Sequence, residues 1–183
     1  MERTLYHDIW GTLPYIGFYA QELANRRTQW EKTAEELCET LSQKKNVGLI
    51  APTGSGKTII AGLAIFGLRA KTLFCAPQRY LCSQHANLFV NIIGHDIAQF
   101  PVVTGEIARD KRIWALDGSV IFATPNVAYL DVMRGALALE QFDLVVFDEV
   151  HHAMSERAPY YTPLAALLHD LGIPLLGLSA SPG

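Results

Sequence analysis

The chain has 183 residues, half of them hydrophobic and 18% charged, with a formal net charge of -3. The length suits one well-filled domain rather than two, and the composition excludes a disordered chain. The charge gives no global electrostatic reason to expect nucleic acid, so such a partner has to be argued from a site. Residues 1–25 form an aromatic-rich segment expected to pack on the core, with Tyr15, Phe18 and Tyr19 among its rings. Short apolar runs then recur: "VGLIAP" from Val47, "TLFCAP" from Thr72, "VIFATP" from Val120, "DLVVFDE" from Asp143 and "PLLGLSAS" from Pro174. Each is bounded by turn or charge signals, the pattern of strands buried on both faces. A weaker strand is expected through Phe100 to Val103. Helical spacing fills Thr58 to Arg69, Tyr80 to Ile93 and Tyr161 to Leu171. Alternating strands and helices predict an α/β domain with a mostly parallel sheet and helices on both faces.

No apolar run reaches the length of a membrane span, and Met1-Glu2-Arg3 opens no signal peptide, so an intracellular chain without a membrane partner is expected. Cys38, Cys75 and Cys82 lack metal-ligand or C-x-x-C spacing and read as reduced, buried thiols.

The polar residues that interrupt these runs fall after strand ends, where open parallel sheets bind their ligands. Leu49 to Thr58, "LIAPTGSGKT", follows the phosphate-loop pattern except that Ala51 takes the place of its first glycine. Thr53, Gly54, Ser55 and Gly56 would turn backbone N–H groups toward phosphate oxygens at a helix N-terminus. Lys57 would reach the β- and γ-phosphates, and Thr58 would offer its hydroxyl to Mg²⁺. The first pattern position contributes mainly to the turn, so a small residue can stand there. At "LVVFDEVHH" a strand ends in Asp148-Glu149, one carboxylate for the Mg²⁺ shell and the next to orient the attacking water. Adjacent His151 and His152 point apart and read poorly as metal ligands; His151 is either a hydrogen-bonding link to a neighbouring element or a satisfied structural histidine.

Together "APTGSGKT", "DEVH" and "SAS" resemble motifs I, II and III of superfamily 2 helicases of the DExH group, which commonly has alanine at the first position of motif I. "APQRYLCSQH" resembles motif Ia, "TGE" at Thr104 to Glu106 the turn that follows it, and "ATPN" at Ala123 to Asn126 motif Ib. "VTGEIARDKR", "FDLVVFDEVHHA" and "LGLSASPG" are most similar to the branch of archaeal Hef, FANCM, RIG-I-like and Dicer helicases. The resemblance implies a RecA-like ATP-binding domain over residues 26–183 that uses ATP and Mg²⁺. It implies backbone contacts to DNA or RNA from Pro77, Gln78, Arg79, Thr104, Gly105, Thr124 and Pro125, which position a strand without reading its sequence. Ser179 and Ser181 would couple nucleotide state to strand binding. "RRTQWE" resembles the adenine-reading Q motif, with Gln29 as reader. Thr28 departs from the aromatic residue that usually precedes that glutamine.

Family members carry a second RecA-like domain with arginines that complete the ATP site, and nothing in Met1 to Gly183 matches it. The resemblance therefore implies the first motor domain of a nucleic-acid-dependent ATPase that hydrolyses ATP slowly alone. A non-catalytic nucleotide-binding regulatory module and a different phosphate-loop phosphotransferase are the alternatives.

Overall fold

A computed structural model describes residues 20–93, 99–107, 112, 117–151 and 160–180. Six parallel strands, β1 (Val47–Ile50), β2 (Thr72–Cys75), β3 (Val102–Val103), β4 (Val120–Ala123), β5 (Leu144–Phe147) and β6 (Leu175–Ser179), lie in the order β1-β6-β5-β2-β4-β3. Among the described residues five α-helices accompany them: α1 (Ala20–Ser42), α2 (Lys57–Leu68), α3 (Arg79–Ile93), α4 (Pro125–Met133) and α5 (Tyr161–Leu171). The chain runs outward from β1 through β2 to β3 and then steps back through β4 and β5 to β6. Right-handed crossovers therefore put α2 and α3 on one face and α4 and α5 on the other.

Strand parity divides the core accordingly. Phe74, Phe122, Leu144, Val146, Leu176 and Leu178 meet α1, α2 and α3, while Leu73, Ile121, Val145 and Phe147 meet α4 and α5. Both faces of β2, β4 and β5 are buried at every position, which is why these strands read as unbroken apolar runs. α2 is apolar nearly all round because it lies between the sheet and α1. α1 contributes the stripe Ala34, Leu37, Cys38 and Leu41, with Trp30 packed against the same core, and its low mean hydropathy hides it from a reading of apolar periodicity. It runs without a break across residues 25 and 26, whereas residues 1–19, with Tyr15, Phe18 and Tyr19, lie outside the described residues.

Register aligns the carboxyl ends. Cys75 pairs with Phe147 on one side and Ala123 on the other, and Ala123 pairs with Val103. The next residues, Ala76, Asp148, Thr124 and Thr104, thus leave the sheet at one level, and β1 leads into the glycine loop on the same edge.

Candidate nucleotide and nucleic-acid site

The loop after β1 is held from three directions. The Ala51 N–H donates to Ser179 O at 3.1 Å, extending the β1–β6 ladder by one residue. Ala51 is not among the described non-glycine residues with positive φ, so a methyl group is tolerated there. Gly54 and Gly56 do adopt left-handed φ values of 77° and 91°. A Cβ at Gly56 would stand 2.6 Å from Trp30 Cε2, and the Trp30 indole N–H donates to Ser55 O at 2.7 Å. The indole is thus a wall of the loop, a role that the sequence reading missed although Trp30 lies in the quoted "RRTQWE". Gln29 beside it is exposed on α1, and Thr53 is exposed in the turn.

Lys57 opens α2, nearly buried, and its ammonium donates to Ala51 O at 2.8 Å and Pro52 O at 3.3 Å. Ser55 Oγ is shielded from solvent with no hydrogen-bond partner among the described residues. Left-handed glycines, an unsatisfied hydroxyl, a lysine and a helix N-terminus together fit a polyphosphate. Half-buried Thr58 lines a hollow of about 580 Å³ together with Tyr80, Gln84 and His85 of α3.

At the end of β5 every polar group of Asp148 is engaged. Its N–H donates to Cys75 O at 2.8 Å, and its carbonyl accepts from Tyr161 Oη at 2.7 Å. Oδ1 accepts the Glu149 N–H at 3.0 Å, and Oδ2 lies 2.8 Å from His85 Nε2. Burial, reinforced by Cys75 and Asp148 nearby, holds the Tyr161 phenol well above its ordinary pKa, so it remains a donor. Glu149 follows with φ 50°, a left-handed value that is strained for a side-chain-bearing residue. Its Oε2 is shielded from solvent and 3.3 Å from His151 Nδ1, without hydrogen-bond geometry to it. His151 Nδ1 and Ser179 Oγ are hydrogen-bonded at 3.1 Å, joining the Asp-Glu turn to the end of β6. His152 and Ser181 lie outside the described residues. Among the described residues no cluster of three His, Cys, Asp or Glu could cage a metal. One carboxylate and one hydroxyl suit Mg²⁺, which takes its remaining ligands from phosphates and water.

The other half of the edge is more open. Arg79 begins α3, with Gln78 exposed and Pro77 half-buried before it, and it pairs with Glu106 of the "TGE" turn. Thr104 is buried while Gly105 is exposed. Thr124 occupies the N-cap of α4 and Pro125 its first turn, where a missing N–H costs nothing. Arg112 donates to Ile107 O at 2.7 Å and to Asp131 of α4 at 2.6 Å, tying the turn after β3 to the adjacent helix. The three cysteines are buried and free. Burial pushes the Cys38 and Cys82 thiols up to about 11, and Cys75 well above its ordinary value.

The DEAD/DEAH box helicase family matches residues 31–183. A putative ATP-dependent RNA helicase of Methanocaldococcus jannaschii is 32% identical over 91% of this chain and 22% of its own length. The Drosophila melanogaster DEAD-box ATP-dependent DNA helicase Fancm is 33% identical over 76% of this chain and 10% of its own length. The crystal structure of the Pyrococcus furiosus Hef helicase domain superposes with a TM-score of 0.70 at 33% identity, covering 82% of this chain and 32% of that one. This chain therefore spans less than a quarter of the length of these two relatives. No described helix is long and apolar enough to cross a membrane. The sequence, the parallel sheet and the loop at its edge lead to one assignment: the chain belongs to the DEAD/DEAH box helicases, in the branch that includes Hef and FANCM.

Proposed function

We propose that the chain is the ATP-binding motor domain, residues 26–183, of a nucleic-acid-dependent helicase or translocase. The observation that carries this reading is the glycine-forced loop and Lys57 after β1 on the same sheet edge as buried Asp148 and half-buried Glu149 after β5. With one strand between them, β1 and β5 lie about 10 Å apart, a separation a triphosphate can span. The loop N–H groups and Lys57 bind the phosphates, Thr58 and Asp148 face the metal side, and Glu149 orients the attacking water. When bound, Mg²⁺ supplies charge neutralisation at the β- and γ-phosphate oxygens. Gln29 contacts the adenine, and the His151–Ser179 bond, with Ser181, links the water-orienting turn to β6.

Nucleic acid, DNA or RNA, lies across the ends of β2, β4 and β3. There Pro77, Gln78, Arg79, Thr104, Gly105, Thr124 and Pro125 contact its backbone, and the dispersed character of these contacts suits a mildly acidic chain. A second RecA-like domain supplies the arginines that complete the ATP site. An arginine of that kind is worth about 10³ to 10⁵ in rate, so this chain alone binds Mg-ATP and turns it over slowly.

The test measures nucleotide binding and Mg-ATP hydrolysis with no nucleic acid, single-stranded DNA, duplex DNA and duplex RNA, beside Lys57→Ala and Glu149→Gln. Binding that Lys57→Ala weakens, with turnover near background, is expected. Fast unaided turnover that disappears in Lys57→Ala would overturn the need for a second domain. Absence of nucleotide binding would sink the whole reading.

A further inference from the structure

The buried contact between His85 and Asp148 joins two segments 63 residues apart and is not explained by core packing alone. His85 Nε2 lies 2.8 Å from Asp148 Oδ2, with the two side chains 10% and 9% exposed. A carboxylate only accepts, so Nε2 carries the proton and donates. The imidazole centroid lies 5.2 Å from that of the Phe74 ring, and His85 is among the residues that line the hollow beside Thr58. The other polar groups of Asp148 are bonded to Cys75 O, Tyr161 Oη and the Glu149 N–H. Those bonds hold the backbone and Oδ1, and His85 is the side chain that holds Oδ2, so the carboxylate is fixed from both sides.

We propose that His85 is a positioning residue for the metal-side carboxylate. Its Nε2–H holds Asp148 in the orientation that receives a Mg²⁺-bound water, leaving lone pairs on both oxygens for that shell. This rests on the reading of the site as one for Mg-ATP and adds to it a residue from the motif Ia helix. The same helix begins with Arg79, six residues and about 9 Å earlier along its axis. The candidate strand contact and the support of the metal-side carboxylate therefore sit on one rigid element.

A fluorescent ATP analogue is titrated with Mg²⁺ and, separately, in EDTA, using wild type, His85→Met and His85→Gln, with thermal melts as the folding control. Methionine and glutamine have similar length, and only glutamine keeps a donor. Where His85→Met fails to fold, His85→Asn replaces it, being polar but one methylene shorter than glutamine. The expected result is an Mg²⁺ half-saturation about 10-fold higher in His85→Met or His85→Asn, restored to within about 3-fold of wild type in His85→Gln. Binding in EDTA should stay within about 2-fold throughout. An unchanged Mg²⁺ half-saturation in His85→Met, or in His85→Asn where its shorter amide replaces it, overturns the proposal, as does His85→Gln behaving like that variant. Wild-type protein that binds no nucleotide under either condition overturns the Mg-ATP reading itself, and this proposal with it.

Discussion

At the ends of β1, β6 and β5, backbone sign, buried side chains and hydrogen bonds all constrain the same few residues. At the ends of β2, β4 and β3 the candidate residues are caps and turns, joined by an exposed Arg79–Glu106 pair and by single bonds such as Arg112–Asp131. The difference matches the two chemistries. A triphosphate in a reaction needs donors fixed before it arrives, because reorganisation during the chemical step costs rate. A sliding backbone needs contacts that are individually weak and carry no sequence information.

The glycines provide the largest contrast. Gly56→Ala forces a side chain into φ 91° and against Trp30 2.6 Å away, and it should lower unfolding free energy by about 2–4 kcal/mol. Gly105→Ala, whose new Cβ would meet only Val127 Cγ2 at 3.9 Å, should stay within about 0.5 kcal/mol. Denaturant melts of both would break the comparison if the two costs came out equal.

Tyr161→Phe and Arg79→Ala sharpen it. Removing the Tyr161 hydroxyl leaves the buried Asp148 carbonyl without its donor and should cost about 1–3 kcal/mol. Arg79→Ala breaks an exposed ion pair worth about 0–1 kcal/mol to the fold. It should instead weaken nucleic-acid binding evenly across sequences and reduce the salt slope by about one. An Arg79→Ala variant with an unchanged salt slope would remove Arg79 from the strand path.

A further effect is a dependence on alkaline pH. Cys38 and Cys82 have folded-state values raised from 9.0 to about 11, so in that window the unfolded chain has lost thiol protons that the folded chain keeps. Stability is therefore whole below about pH 9 and falls as pH rises toward 11. Cys38→Ala should flatten part of that fall, measured by urea melts from pH 8 to 11, and an unchanged pH slope would count against the assignment.

Much of the fold was legible because its determinants are local. Five apolar runs bounded by turn residues became β1, β2, β4, β5 and β6, and the weak run at Phe100 to Val103 shortened to the two-residue β3. The left-handed glycines were readable from residue type alone. What escaped depends on partners distant in sequence. Nothing local marks His85 before β5 brings Asp148 to it, or Trp30 before the loop closes on its edge. α1 hid behind its polar faces, and α4 behind Pro125, which marks a helix start only once Thr124 is seen as its cap.

Phe89 gives α3 a pivot. Its ring lies among those of Phe66, Phe74, Phe100 and Phe122, at centroid separations of 5.8, 6.0, 5.8 and 5.2 Å, so this part of the helix cannot shift without unpacking four neighbours. Arg79 stands about 15 Å from that fulcrum and His85 about 6 Å, on the same side. A sideways push of about 1 Å at the arginine therefore moves the imidazole by roughly 0.4 Å, by the ratio of those lever arms. On a 2.8 Å hydrogen bond that is the margin between a well-made contact and a loose one.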